Sequence, residues 1–548
     1  MKKLISVLLA LAMTAMVFAG CSDETVEIAT MEPTEEALQA TETTPDNVVT
    51  VSTTEEFLAA LGSNTTIRLS AGEYLLSQAS DYGKLTDNPA YFWETAGEGY
   101  QLKLNHLHDL VIEGAGIEET TLLTQPRYSN VLALENCQNI RIRNLTAGHT
   151  EGGELCNGGV VDLYGCTNVG FDTVGLFGCG IWGVSMYACD NIGLDNSRIY
   201  DCSVSGLQIH STQNVQVNHT DFYTIGSSRE PGSSIVTVEG SQKIQLKDCS
   251  ISENNVMNLV SASYSPEISL LNCEFRANRA IRSAFDFQDC QPLFSGCSLE
   301  GNDVRKWYSA SSMPAVDEKG ASLTEDHLPE IVEPDPENLP EQQTVTVKTV
   351  DEFLAAIGPD REIILSGDIF DLSTASSDGP ISPYWYWEDP YDGAQLVITD
   401  VSNMTIKAEG EDRKATTLQA VPRYANVLSF RSCTDITLSG FTAGHSEEPG
   451  YCMGGVLDFQ DCRNVIVNRC GLFGCGILGV NAELCSNLTV LECDIYECSY
   501  GGIQLFNVDD VVISSNTFRD LGGPEVMTQD CTEVNCDVPT NQWPEGVG

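Results

Sequence analysis

The hexapeptide Thr146-Ala147-Gly148-His149-Thr150-Glu151 sets an imidazole two positions before a carboxylate, and it returns as Thr442-Ala443-Gly444-His445-Ser446-Glu447. The offset is 296 residues (149 to 445). The same offset carries Arg127-Tyr128 to Arg423-Tyr424, Asp162 to Asp458 and Gln208 to Gln504. An imidazole and two carboxylates are groups that general acid–base chemistry uses. In that reading His149 or Glu151 is the acid or base and Asp162 the second carboxylate. Arg127 is a clamp or electrophilic partner, and Tyr128 and Gln208 bind substrate. His445, Glu447, Asp458, Arg423, Tyr424 and Gln504 form the twin set. A second reading stays open beside it. His149 and Arg127 also suit hydrogen bonds to loop carbonyls, and Asp162 suits backbone N–H groups. Duplication preserves a brace as readily as a catalyst.

The elements that must position these residues are repeats. Thr53-Thr54-Glu55-Glu56-Phe57-Leu58-Ala59-Ala60 recurs as Thr349-Val350-Asp351-Glu352-Phe353-Leu354-Ala355-Ala356, so the chain holds two copies. The Thr-x-x-Glu capping box and apolar run predict a short helix opening each copy. Within each copy an Asn- or Asp-led apolar pair keeps time. Asn139-Ile140, Asn168-Val169, Asn191-Ile192 and Asn214-Val215 are spaced by 29, 23 and 23. Asp435-Ile436, Asn464-Val465, Asn487-Leu488 and Asp510-Val511 repeat those steps. Between the marks apolar residues alternate, as in Leu132/Leu134, Val161/Leu163, Val184/Met186, Leu207/Ile209 and Val236/Val238. Short period-2 strands in fixed register predict a solenoid of strands. Its outward columns read Ala133, Asp162, Ser185, Gln208, Thr237 and then Glu135, Tyr164, Tyr187, His210, Glu239. The second copy gives Ser429, Asp458, Asn481, Gln504 and Arg431, Gln460, Glu483, Phe506. The inserted loop beginning in Thr146–Glu151 precedes this strand stack, and so does Arg127-Tyr128. All the candidate residues are therefore expected along one groove.

These repeats resemble the right-handed parallel β-helix family of the pectate-lyase-like superfamily, over roughly residues 100–308 and 394–521. The resemblance implies an all-β fold: two tandem right-handed parallel β-helix solenoids, each with a short N-terminal capping helix. It also implies a polysaccharide or surface glycan as partner. The Asn-Thr-Asp, Asp-Asp, Gly-His-Gly and Arg-Ile-Lys set of polygalacturonases is not found, and Gly148-His149-Thr150 is its nearest fragment. The Asp cluster of calcium-dependent pectate lyases has no counterpart that can be placed residue by residue. A named activity does not carry over. Lyase or glycoside-hydrolase cleavage stands beside a non-catalytic surface or adhesion module.

Composition narrows the partners. Lys and Arg number 28 against 78 Asp and Glu, a formal charge of -50, which repels nucleic acid and anionic glycans alike. A neutral glycan is the expected ligand; no cofactor or metal is expected, with calcium needed only to bridge an anionic substrate. The 21 cysteines fall largely on equivalent cells, such as Cys137, Cys166, Cys189 and Cys433, Cys462, Cys485. They are expected to be stacked core thiols rather than a zinc site. The aromatic runs Tyr91-Phe92-Trp93 and Tyr384-Trp385-Tyr386-Trp387 are expected to cover the open first rungs.

At the N-terminus Lys2 and Lys3 precede an apolar run from Leu4 to Phe18, ending Phe18-Ala19-Gly20-Cys21. This resembles a bacterial lipobox, which implies cleavage before Cys21, lipid on its thiol and an extracytoplasmic protein anchored to the cell membrane. The expected domains are a signal peptide at 1–20, an acidic tether at 21–46 and a first β-helix at 47–312. An acidic, Pro-rich linker follows at 313–343, then a second β-helix at 344–523 and a tail at 524–548.

Overall fold

A computed structural model describes residues 45–542, apart from 46, 151–156, 179–180, 227–231, 310–311, 332–338, 376–381, 447–452 and 475–476. Cys21, Glu151 and Glu447 lie outside the described residues, as do the signal peptide and all of the tether except Pro45.

Each of the two sets of strands carries one helix, which follows the set's first strand, Asn47–Val51 or Gln343–Val347, and does not open the set as expected. Helix α1 (Thr54–Ala60) is capped by the Thr53 hydroxyl, which accepts from the Glu56 N–H at 3.2 Å. The Glu56 carboxylate accepts in turn from the Ser52 N–H at 2.8 Å. Helix α2 (Val350–Ala356) repeats this with Thr349, Glu352 and Lys348. Each helix buries its Phe-Leu pair, Phe57-Leu58 and Phe353-Leu354.

Nearly all the strands pair in parallel. The first set runs from Asn47 to Val304 and the second from Gln343 to Gln542, and named strands pair only within a set. Each turn of chain contributes one strand to each of three faces. The first sheet carries the Asn-led pairs, with Ile140, Val169, Ile192, Val215 and Ile244 in register. The second sheet carries the pairs expected to point inward, all of them buried from Leu132/Leu134 to Val236/Val238. The third carries Leu122, Ala147, Leu176, Ile199 and Phe222. In the first set the long strands Gln138–His149 and Thr167–Phe177 pass through a corner, so the first and third sheets merge into one of 16 strands. In the second set the sheets stay separate, with 8, 6 and 8 strands.

The period marks are corner residues. Asn139, Asn168, Asn191 and Asn214 have φ of 55°, 57°, 61° and 56°, the left-handed region that Asn tolerates better than most side chains. Their amides also stack from turn to turn: Asn168 Nδ2 donates to Asn139 Oδ1 at 2.6 Å, and Asn191 Nδ2 to Asn168 Oδ1 at 3.1 Å. One side chain thus supplies both the bend and the link between turns. The cysteine columns are also side chains of the interior. Cys166 Sγ donates to the carbonyls of Leu134 (3.4 Å) and Tyr164 (3.5 Å), and every cysteine among the described residues is free.

Apolar packing forms two cores, one from Val51 to Ala315 and one from Val347 to Val526. The aromatic runs lie where expected, at the first turns. Tyr91, Trp93 and Trp385 are buried, and Trp385 Nε1 donates to the Leu354 carbonyl of α2 at 2.9 Å.

Candidate functional site

The outer face of the second sheet is built as the alternation requires. Val161 and Leu163 point in, so Asp162 and Tyr164 point out. Parallel register then aligns Ala133, Asp162, Ser185, Gln208 and Thr237 in one column, and Glu135, Tyr164, Tyr187, His210 and Glu239 in the next. The Tyr164 and Tyr187 rings are stacked, 5.5 Å apart and 7° from parallel, and each is about half exposed, 50% and 48%. His210 stands 3.2 Å from Gln208 and 3.1 Å from Glu239.

One end of the face is closed by an antiparallel hairpin, Tyr91–Ala96 with Gly99–Asn105. Its Glu94 accepts from Lys103 Nζ at 2.9 Å and from Gln101 Nε2 at 2.6 Å, while Lys103 also meets Glu135 at 2.6 Å. The second copy reaches the same result with different residues. Val397 stands in the cell of Lys103, and Arg431 in the cell of Glu135. Arg431 bonds Glu388 at 2.9 Å and Tyr386 Oη at 2.7 Å, and Gln395 Nε2 donates to Glu388 at 2.5 Å. Both copies thus tie a cation to the hairpin glutamate, Lys103 in the first and Arg431 in the second. The sequence contained the signal, a Glu closing both aromatic runs, but the hairpin lies outside the repeat and its partners do not share the period.

The two aspartates differ in access. Burial raises the Asp162 carboxyl above its ordinary range, Glu94 adds to this, and the Ser185 hydroxyl and Lys103 oppose it. Asp162 is nevertheless half-buried. Asp458 is only 4% exposed, and burial pushes it up to about 6. Its oxygens accept from Asn481 Nδ2 at 2.8 Å and Gln460 Nε2 at 3.4 Å.

The histidines require a correction. His149 pairs with Thr124 on the third sheet, whereas Asp162 stands on the second. The strand continues through His149, so Leu145, Ala147 and His149 all face inward, and the inserted loop leaves only afterwards. His149 is 2% exposed, and its Nε2–H donates to the Ser129 carbonyl at 2.8 Å. His445 does the same to Ala425, also at 2.8 Å and 2% exposed. Burial lowers both imidazole pKa values, which keeps them neutral. They are braces for the turns that follow Pro126-Arg127-Tyr128 and Pro422-Arg423-Tyr424, not members of the outward face.

Arg127 and Arg423 belong to those turns. The Arg127 carbonyl accepts from the N–H groups of Asn157 (2.7 Å) and Gly158 (2.9 Å), the returning end of the inserted loop. Arg423 does so for Met453 and Gly454, and its own N–H donates to Asp392 at 2.8 Å. Tyr128 and Tyr424 are exposed, with Tyr424 4.9 Å from Tyr391. Gln208 and Gln504 stand in the outward columns as expected. Among the described residues no group of three His, Cys, Asp or Glu is placed to hold a metal ion, and no helix is long and apolar enough to cross a membrane.

A family model described as right handed beta helix region matches residues 158–319 and 418–542. No curated protein matches the sequence. Among solved structures, the alginate lyase from Paenibacillus sp. str. FPU-7 is 12% identical, with 48% of this chain and 99% of that one covered at a TM-score of 0.33. The catalytic domain of a GH87 alpha-1,3-glucanase in complex with nigerose is 11% identical, with 91% and 69% covered at 0.30. The pectate lyase from Paenibacillus sp. 0602 is 8% identical, with 48% and 80% covered at 0.32. Scores of this size say nothing about activity.

Proposed function

The chain belongs to the right-handed beta helix family, and on that footing we propose that the outer second-sheet face of its first copy binds a neutral carbohydrate chain. The observation that carries this is the exposed Tyr164–Tyr187 pair beside Asp162, Ser185 and Gln208. Rings offer their apolar surface to the C–H faces of sugars, and the flanking carboxyl, hydroxyl and amide groups bond sugar hydroxyls. The charges on the face argue against an anionic glycan. Lys103 is already held between Glu94 and Glu135, and His210 stands against Glu239. Asp162, the accessible carboxyl with a raised pKa, is the group for any acid step on the bound chain. The sealed Asp458 favours a different role for the second copy, that of a non-catalytic module.

We read the two strand sets as tandem solenoids, each with a helix after its first strand; their separate cores support this. We read Cys21 as the lipid-bearing residue that holds the protein outside the cytoplasm on the membrane. Cys21→Ser should release the protein from the membrane fraction, because the apolar run alone is a poor anchor. Retention of the variant after signal cleavage would sink the lipoprotein reading.

The function itself is tested by a glycan-array and reducing-end screen of the soluble chain from Thr43 onward. Retention of a neutral polysaccharide is expected. Binding confined to uronate polymers, or none at all, would contradict it. Binding with no release of reducing ends would identify the non-catalytic form.

A further inference from the structure

Among the described residues, five Asp, Glu, Lys or Arg side chains are nearly fully buried: Arg305, Asp458, Asp461, Arg463 and Asp509. Charged groups bury only when paired. Four of the five meet at one place, where the last turns of the first copy touch the second. Arg305 donates to the carbonyls of Cys485 (2.5 Å) and Asn507 (2.8 Å) and to the Asp509 carboxylate (2.7 Å). Lys306 reaches the same carboxylate at 2.7 Å. One turn earlier, Arg279 meets Asp461 at 2.6 Å. Charges run the other way too, since Arg463 of the second copy meets Asp303 of the first at 3.0 Å.

The two copies differ at these cells. Asp461, Arg463 and Asp509 stand where the first copy has Gly165, Thr167 and Gln213. Position 165 is a left-handed corner with φ of 61°, a conformation that glycine adopts freely. Asp461 holds the same corner at φ of 52°, which is strained for a residue with a Cβ. That strain is offset by bonds a glycine would lack, to Arg279 and, at 3.0 Å, from the Ser432 hydroxyl.

We infer that this seam is a built interface: the corner row of the second copy is a receptor for the final turns of the first, and the two are held as one body. The first copy has Gly165 and Gln213 where the Asp461 and Asp509 carboxylates stand, so its own corner row lacks them. A second molecule therefore finds no such seat there, and the pairing closes within one chain instead of propagating from chain to chain. The described residues of both copies accordingly belong to one compact unit. The inference is independent of what the outer face binds.

The test uses the full chain with a protease recognition sequence placed within residues 332–338. After cleavage at about 0.15 M ionic strength, the two halves should elute together as one species of full mass. In the same chain carrying Arg279→Glu and Arg305→Glu, the halves should separate, with affinity lower by on the order of a hundredfold. Should that variant fold poorly by circular dichroism, Asp461→Asn with Asp509→Asn removes the negative charges from the other side, and the same separation is expected. Halves of the parent that part on cleavage, or folded variants whose halves stay together, would overturn the interface.

Discussion

Asp458→Asn is expected to stabilise the protein at pH 7.5 and to leave it nearly unchanged at pH 4. The folded-state pKa is raised by burial to about 6, above the ordinary value of 3.8. A carboxyl raised in this way contributes stability that is fully present below the unfolded pKa and is lost as pH rises through the folded one. The window is therefore pH 4 to 6. Two pKa units correspond to about 3 kcal/mol, which the parent loses across that window and an amide does not. Rotation of the new amide leaves one of the bonds from Asn481 and Gln460 unmade, so the net gain at pH 7.5 should be about 2 kcal/mol. Denaturant midpoints at the two pH values measure it. A variant less stable than the parent at pH 7.5 would mean that the Asn481, Gln460 and Arg431 side chains hold the carboxylate fully ionised. Glycan binding should be unaffected, because Asp458 is 4% exposed and has little surface to offer a ligand.

Removing both rings from the first copy should do the reverse. Tyr164→Ala with Tyr187→Ala is expected to weaken glycan binding by about thirtyfold or more, that is about 2 kcal/mol, from two lost stacking surfaces. Stability should change little, because each side chain is about half exposed and neither belongs to the core. Phe at both positions should restore most of the affinity, since the ring face is kept. Equal weakening by Phe and Ala would assign the role to the hydroxyls. A large fall in stability with unchanged affinity would make the pair a structural ladder.

The contrast between His149 and Asp162 shows where the sequence was informative. Asp162 lies between Val161 and Leu163 in a strand whose alternation fixes its direction, and its register follows from the repeat. The Asn-led marks were legible for a related reason: few side chains accept a left-handed corner, so the corner residues mark the period. His149 obeys the same alternation after Leu145 and Ala147, but a polar residue pointing inward looks like the start of a loop. The hydrogen bond to Ser129 that justifies its burial comes from 20 residues away, from a turn with no pattern of its own. Glu94 and Lys103 escaped notice because an antiparallel hairpin carries them, and pairing in a hairpin does not follow the turn-to-turn spacing. The seam was hidden most deeply. Arg305 and Asp509 are 204 residues apart and share no repeat position, so only the folded chain brings them together.

Oxidative footprinting of the soluble chain, with and without the neutral polysaccharide returned by the glycan screen, asks most directly where the ligand lies. Tyr164 and Tyr187 report on the face itself, while Tyr391, exposed in the second copy, serves as the reference. Saturating glycan should protect Tyr164 and Tyr187 and leave Tyr391 reactive. Full reactivity of Tyr164 and Tyr187 under saturating glycan would contradict the placement of the carbohydrate on this face.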